Sequence, residues 1–326
     1  MKAMMYTGAH QLEMQDIPHP EPGPGQVVVD LDYCGICGSD MHAYHGLDPR
    51  RVPPLVLGHE AVGVAQDGAL KGKRVAVNPL ETCGTCGFCT GGQEHLCAER
   101  ALIGLKNHGA YAEAVAIGEG NLSVLPDDLD LETAALAEPL AVCVHAAEIA
   151  SAWSGREIGS VAVLGGGAIG ILSGLVYRPR AETLWVAEPN PNRRATVEKS
   201  LDAKAYDPAS GGPAEGTVDL VVDAVGSGRT RAAASALVRP GGTILHIGLQ
   251  DSAEGLDTRR ITLQEIAFVG TYCYTKQDFA EALRLLHERK VTGEGWTEIR
   301  PLDAGPQSFR DVDDGTAPPK IILACA

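Results

Sequence analysis

The chain of 326 residues has no long apolar run. Its most hydrophobic stretch, "VAVLGGGAIGILSGLV", is broken by glycines and falls short of the roughly 20 residues a bilayer-crossing helix needs. It is also poor in basic residues, with 27 Lys and Arg against 42 Asp and Glu and a net charge of −15. That balance argues against nucleic acid or an anionic membrane surface as a partner. Internal repeats and low-complexity segments are absent, which excludes a repeat array. The opening "MKAMMYTGAH" carries no secretory pattern, because it runs into the polar, proline-rich "EMQDIPHPEPGPGQ" before any apolar stretch can form. A cytoplasmic protein is the expectation. In that compartment thiols stay reduced, and an odd set of nine cysteines fits metal binding or catalysis better than a disulfide framework.

The length is about two domains' worth, and a hydrophobic fraction of 44% is ordinary for a chain that buries a core. The first part reads as short strands with Gly and Pro punctuation, in "GQVVVDLDYCGIC", "KGKRVAVNP" and "GAYAEAVAIG". The pattern turns helical in "DLETAALAEPLAVCVHAAEIA", where apolar residues recur at i, i+3 and i+4. The runs "SVAVLGGGAIGILSGLV", "ETLWVAEPN", "VDLVVDAVG" and "GGTILHIG" then alternate buried-type strands with helical segments, the rhythm of a parallel sheet. "KQDFAEALRLLHERK" reads as an amphipathic helix and "PPKIILACA" as a closing strand. The expected partition is a β-rich domain over 1–146 with a cysteine lobe at about 80–100, an inserted α/β domain over 147–274, and a return to the first domain over 275–326.

At the start of the inserted domain the strand "SVAVLG" runs into Gly165, Gly167 and Gly170, with Ala168 and Ile169 between the last two. Glycines so spaced at a strand-to-helix turn let backbone N–H groups approach a pyrophosphate at a helix N-terminus. The next strand ends at Glu188, near the offset expected for an acid that accepts the ribose hydroxyls of a dinucleotide. Such a carboxylate repels a 2′-phosphate and favours NAD, whereas Arg193 and Arg194 just beyond keep NADP open. Elsewhere "CGTCGFCTGGQEHLC" supplies Cys83, Cys86, Cys89 and Cys97. Four thiolates closing on one tetrahedral ion leave no open position, which marks a structural zinc. Iron–sulfur ligation also fits the spacing, but nothing else in the chain points to electron transfer.

A second set of reactive residues is scattered. "CGICGSDMHAYHG" carries Cys34, Cys37, Ser39, Asp40, His42, Tyr44 and His45; "GHE" carries His59 and Glu60; "LAEPLAVCVHA" carries Glu138. One thiolate, one imidazole and carboxylates suit a catalytic zinc with a position left open, although spacing alone does not join three distant segments. These motifs, with the cysteine lobe and "VLGGGAIG", come in an order that resembles the zinc-dependent medium-chain alcohol dehydrogenases, in particular the polyol branch of sorbitol and galactitol-phosphate dehydrogenases. The resemblance covers nearly the whole chain. It implies an α/β protein with a GroES-like β-rich catalytic domain and an inserted Rossmann domain, a doubly wound parallel sheet. It implies two zinc ions per chain, one catalytic and one structural, and NAD in preference to NADP.

Carried over by position, Cys37, His59, Glu60 and Glu138 match the catalytic zinc shell, with either glutamate the direct ligand. Ser39 matches the hydroxyl that takes the substrate proton and passes it, through the cofactor ribose, towards His42. Tyr44 and Tyr272 match the substrate pocket. Cys34 is assigned to packing, and His45 and Cys143 have no matched role. The chain departs from the sorbitol pattern at Thr271, which stands before Tyr272 where that branch carries arginine. Lys106 and His108 fall on the pocket loop. The implied reaction is hydride transfer from a secondary alcohol of a polyol or sugar derivative. Threonine dehydrogenase or a general secondary-alcohol dehydrogenase is the alternative, and a catalytically idle nucleotide-binding protein of the same fold is the alternative of another class. The run "RRITLQEIAFVGTYCY" is expected at a sheet edge, which relatives of this family pair across a two-fold axis; a homodimer or homotetramer follows.

Overall fold

The computed structural model describes residues 1–155, 157–251 and 254–326. They form two compact units. The first comprises Met1–Pro139, Thr275–Gly293 and Thr297–Ala326, and the second Leu140–Tyr274 with Glu294–Trp296.

The first unit is built around the strand Gln26–Gly35. Val27, Val28 and Val29 in succession are buried, so this strand is covered on both faces rather than alternating in and out. It pairs antiparallel with Glu60–Ala65, Ala114–Gly118 and Lys320–Ala324. The full seven-stranded sheet runs Leu122–Val124, Arg74–Val77, Glu60–Ala65, Gln26–Gly35, Lys320–Ala324, Thr297–Pro301, with Ala114–Gly118 off that path. A three-stranded sheet of Gln11–Asp16, Lys2–Gly8 and Leu55–Val56 packs into the same core, with Tyr111, Phe309, Leu31 and Ile321. The register sets Gly35 directly opposite Glu60. A Cβ at Gly35 would strike the Glu60 carboxylate and come within 2.8 Å of Lys320 Cε. Only glycine fits where these two charged side chains approach the strand.

The second unit is a six-stranded sheet in which every pairing is parallel. Its order is Lys204–Tyr206, Thr183–Ala187, Ser160–Leu164, Val218–Asp223, Val238–His246, Ala267–Gly270. Numbered along the chain from Ser160–Leu164, that order is 3-2-1-4-5-6, the doubly wound arrangement whose ligands sit where the order reverses, at the carboxyl end of the first strand. The glycine loop lies at that point. The run expected as one helical stretch is two helices, Leu131–Ala134 and Ala137–Ser154. In "RRITLQEIAFVGTYCY" the first half is the helix Thr258–Leu263, because Asp257 caps it by accepting from the Arg260 N–H. Only Ala267–Gly270 is the edge strand, paired on one side among the described residues.

Candidate active site and metal centres

The cysteine lobe gathers its four thiols without disulfides. Cys83 and Cys89 Sγ lie 3.8 Å apart, Cys86 and Cys89 3.5 Å, and Cys97 and Cys83 3.5 Å. Tetrahedral sulfurs about 2.3 Å from one zinc stand about 3.8 Å apart, so the donor set fits the ion as it stands. The backbone N–H groups of Thr85 and Cys86 turn towards Cys83 and draw its thiol down to about 6. Burial, with the Cys86 thiol beside it, pushes Cys89 up to about 11. One thiolate is present near neutral pH, and a cation draws out the others.

The second centre lies in the same unit. Donor atoms of Cys37, His59 and Glu60 fall within 4.8 Å of one another. Cys37 is the N-cap of the helix Gly38–Tyr44, its sulfur accepting from the Ser39 N–H. His59 and Glu60 stand at the entry of the strand Glu60–Ala65, and both are buried. Burial and the charges of Glu60 and Asp40 push the Cys37 thiol up to about 12, against a smaller downward pull from Lys320. The cluster therefore holds more negative demand than it can ionise, which is the chemistry of a cation site. Its second layer fits as well. His59 Nδ1 and Asp40 Oδ1 are buried, lack hydrogen-bond partners, and lie 3.6 Å apart. With Nδ1 turned to Asp40, the ring offers Nε2 to an ion, the carboxylate–histidine pairing that orients a metal ligand. Asp40 is fixed by the Tyr111 hydroxyl at 2.6 Å and by Arg51 at 3.5 Å.

Glu138, in the first turn of Ala137–Ser154, is buried and acts electrostatically on both Cys37 and Lys320. Glu60, not Glu138, shares the close donor cluster. Ser39 Oγ accepts from Arg51 Nη2 at 3.3 Å. Burial lowers the pKa of His42, with Arg51, His45 and Arg50 adding to the effect and Asp48 opposing it. Tyr44 is not brought to this cluster; it is buried in the core with its ring against Phe309 and His10. Tyr272 belongs to the other unit, just past the edge strand. His108 Nδ1 accepts the Val56 N–H at 3.1 Å and serves the backbone.

In the second unit the loop has the shape a dinucleotide needs. Gly165 adopts φ 106°, a Cβ on Gly170 would strike the Gly165 carbonyl, and Gly167 has open space around it as N-cap of Ala168–Tyr177. Glu188 is buried, its two oxygens accepting the Gly166 and Asn190 N–H groups at 2.9 and 2.8 Å. Each oxygen keeps a lone pair for a ribose hydroxyl. Arg194 is occupied by the carbonyls of Glu188 and Pro189, whereas Arg193 Nε is buried without a partner.

Two family models match the chain, the alcohol dehydrogenase GroES-like domain over residues 23–127 and the zinc-binding dehydrogenase domain over 185–288. An L-galactonate-5-dehydrogenase of Escherichia coli is 31% identical, covering 84% of each chain. The chain belongs to the zinc-dependent alcohol dehydrogenase family. A 2-dehydro-3-deoxy-L-galactonate 5-dehydrogenase of Pseudoalteromonas atlantica is 28% identical over 100% of this chain and 99% of its own length. The crystal structure of a zinc-binding dehydrogenase from Sinorhizobium meliloti, bound to NADP, superposes with a TM-score of 0.87 at 28% identity, covering 99% and 98% of the two chains.

Three residues of the site escape sequence reasoning. Lys320 is 1% exposed, donates to the Ile36 carbonyl at 2.8 Å, and forms an ion pair with Glu60. Burial acts to lower its pKa, but Glu60 and Cys37 outweigh it and the ammonium is held above its ordinary range. A lone lysine opening the apolar strand "KIILA" is the signal that could have found it. Arg51 and Tyr111 offer no such signal; their partners appear only once the chain is folded.

Proposed function

We propose that this chain oxidises a secondary alcohol of a polyol or sugar derivative, with galactonate-type sugar acids as the first candidates, and passes hydride to NAD. The reading is carried by one observation. Cys37, His59 and Glu60 converge within 4.8 Å, backed by Asp40 and Lys320, in a chain aligned end to end with a dehydrogenase acting on a sugar acid. Zinc, when bound there, supplies positive charge that favours ionisation of the substrate hydroxyl. Cys37 and His59 hold it. Glu60, also paired with Lys320, would complete the donor set, and Glu138 adds negative potential at Cys37.

Ser39 accepts the hydroxyl proton and hands it towards His42, whose lowered pKa keeps the ring neutral and able to accept near neutral pH. NAD, when bound, would supply the hydride acceptor, so that a ketone, the reduced cofactor and one proton would be the products. Gly165, Gly167 and Gly170 would seat the pyrophosphate, Glu188 would hold the adenosine ribose, and Arg193 belongs to the same set. Glu188 favours NAD over NADP by repelling a 2′-phosphate. No helix among the described residues is long and apolar enough to cross a membrane, and nine cysteines outside any disulfide among the described residues suit a reducing cytoplasm. The one-sided edge strand Ala267–Gly270 favours a homodimer joined edge to edge.

The test is an oxidation screen of sugar acids, polyols, sugar phosphates and β-hydroxy amino acids with NAD and NADP, run beside metal analysis. Two zincs per chain and turnover of a sugar acid or polyol with NAD are expected. Turnover of threonine alone moves the assignment within the family. One zinc and no turnover of any alcohol rejects the enzyme.

A further inference from the structure

At the opposite end of the helix that Cys37 caps, the first unit brings together His10, His45 and Asp313. The three come from separate parts of the chain. His10 lies in the turn between the strands Lys2–Gly8 and Gln11–Asp16, at φ 58°. His45 is the C-cap of Gly38–Tyr44, and Asp313 is the last residue of the helix Gly305–Asp313. Their donor atoms lie within 4.8 Å of one another. Asp313 sits between the two rings, Oδ1 at 2.7 Å from His45 Nε2 and Oδ2 at 3.9 Å from His10 Nδ1.

We propose that these three residues form a third metal site, an exchangeable one for a borderline divalent ion such as Zn²⁺, Ni²⁺ or Cu²⁺. Two neutral imidazoles and one carboxylate are the donor types such ions prefer, and water fills the remaining positions. Donors about 2.0–2.2 Å from a tetrahedral ion stand about 3.3–3.6 Å apart. The cluster reaches that spacing by turning side chains alone, since His10 is 57% exposed and Asp313 35%. The backbone is already set. The His10 N–H bonds the Tyr44 carbonyl at 2.6 Å, which ties the turn to the end of the helix that carries His45. The His10 ring is braced edge-on against Tyr44 at 4.8 Å, and its centroid lies 5.3 Å from that of His45. Two helices also direct their C-terminal ends at the cluster, where partial negative charge favours a cation and disfavours a lone carboxylate such as Asp313. The inference is independent of the proposed reaction. Its consequence is a clamp that joins the first hairpin to the helices Gly38–Tyr44 and Gly305–Asp313.

The test titrates Ni²⁺ into the desalted enzyme with its tightly held zinc in place, following uptake by equilibrium dialysis and calorimetry. One further equivalent per chain is expected, reversible with a mild chelator that leaves the zinc content unchanged. His45→Ala and, separately, the isosteric Asp313→Asn should each weaken that equivalent by more than the roughly 10–100-fold typical of losing an outer-shell partner. With Cu²⁺ in place of Ni²⁺, nitrogen hyperfine structure in the paramagnetic resonance spectrum should disappear in a His10→Ala, His45→Ala double variant. No additional equivalent in the unsubstituted enzyme overturns the proposal. An equivalent that persists unchanged in His45→Ala and Asp313→Asn overturns it as well.

Discussion

Lys320 and Glu60 hold opposite charges inside a buried cluster, each about 1% exposed. An ion pair this deep contributes little net stability over apolar residues of equal volume, yet removing one partner leaves a charge with nothing to balance it. Lys320→Met should therefore cost roughly 3–5 kcal/mol in metal-free protein, read by denaturant unfolding. In zinc-loaded protein the loss should shrink, because the ion beside Glu60 and Cys37 supplies the missing positive charge. An equal loss in both forms would mean that Glu60 does not face the metal. Gly35 belongs to the same argument, since its missing side chain is what lets Glu60 and Lys320 meet.

At the scale of elements, the glycine loop and the cysteine lobe were legible because each is complete within a short run of sequence. Spacing alone placed Cys83, Cys86, Cys89 and Cys97 around one point, and strand, turn and helix around Gly165. The open centre was legible only in part. Cys37, His59 and Glu60 stand on two segments that a resemblance could join, but the cation behind Glu60 lies 260 residues further on. No periodicity connects positions so far apart. The helix Thr258–Leu263 was hidden for a different reason: its β-branched residues read as strand, and the cap at Asp257 decided otherwise. The lobe, being local, makes a local prediction. Cys89→Ser should release the structural zinc and lower solubility or thermal stability, while protein that remains folded keeps near-native kcat; metal analysis and a thermal melt check it. Soluble, thermally unchanged protein without that zinc would remove the structural role.

For the whole molecule, the exposed side of Ala267–Gly270 bears on assembly. Proline is tolerated in an edge strand whose N–H faces outward, but it deletes a donor that a second chain would use. Phe268 is the cleaner probe. The Thr271 N–H bonds the His246 carbonyl, so by strand alternation the Val269 N–H faces the sheet and the Phe268 N–H faces outward, while the Ile266 N–H is bonded to the Ile261 carbonyl. Phe268→Pro should convert a dimer into a 34.1 kDa monomer by light scattering, with the circular dichroism spectrum retained. A native protein that is already monomeric at micromolar concentration would dispose of the edge-to-edge dimer. The position of Lys320–Ala324 has a further consequence, for biosynthesis. This strand lies inside the first unit's sheet, beside Gln26–Gly35, yet it is made after the whole second unit. The second unit can therefore fold while the chain is still growing, whereas the first must wait with an open slot. A nascent chain stalled short of residue 320 would carry Cys37, His59 and Glu60 without the ammonium that balances them. Competence to bind the catalytic ion should thus appear only once residue 320 has been made, after the second unit is complete.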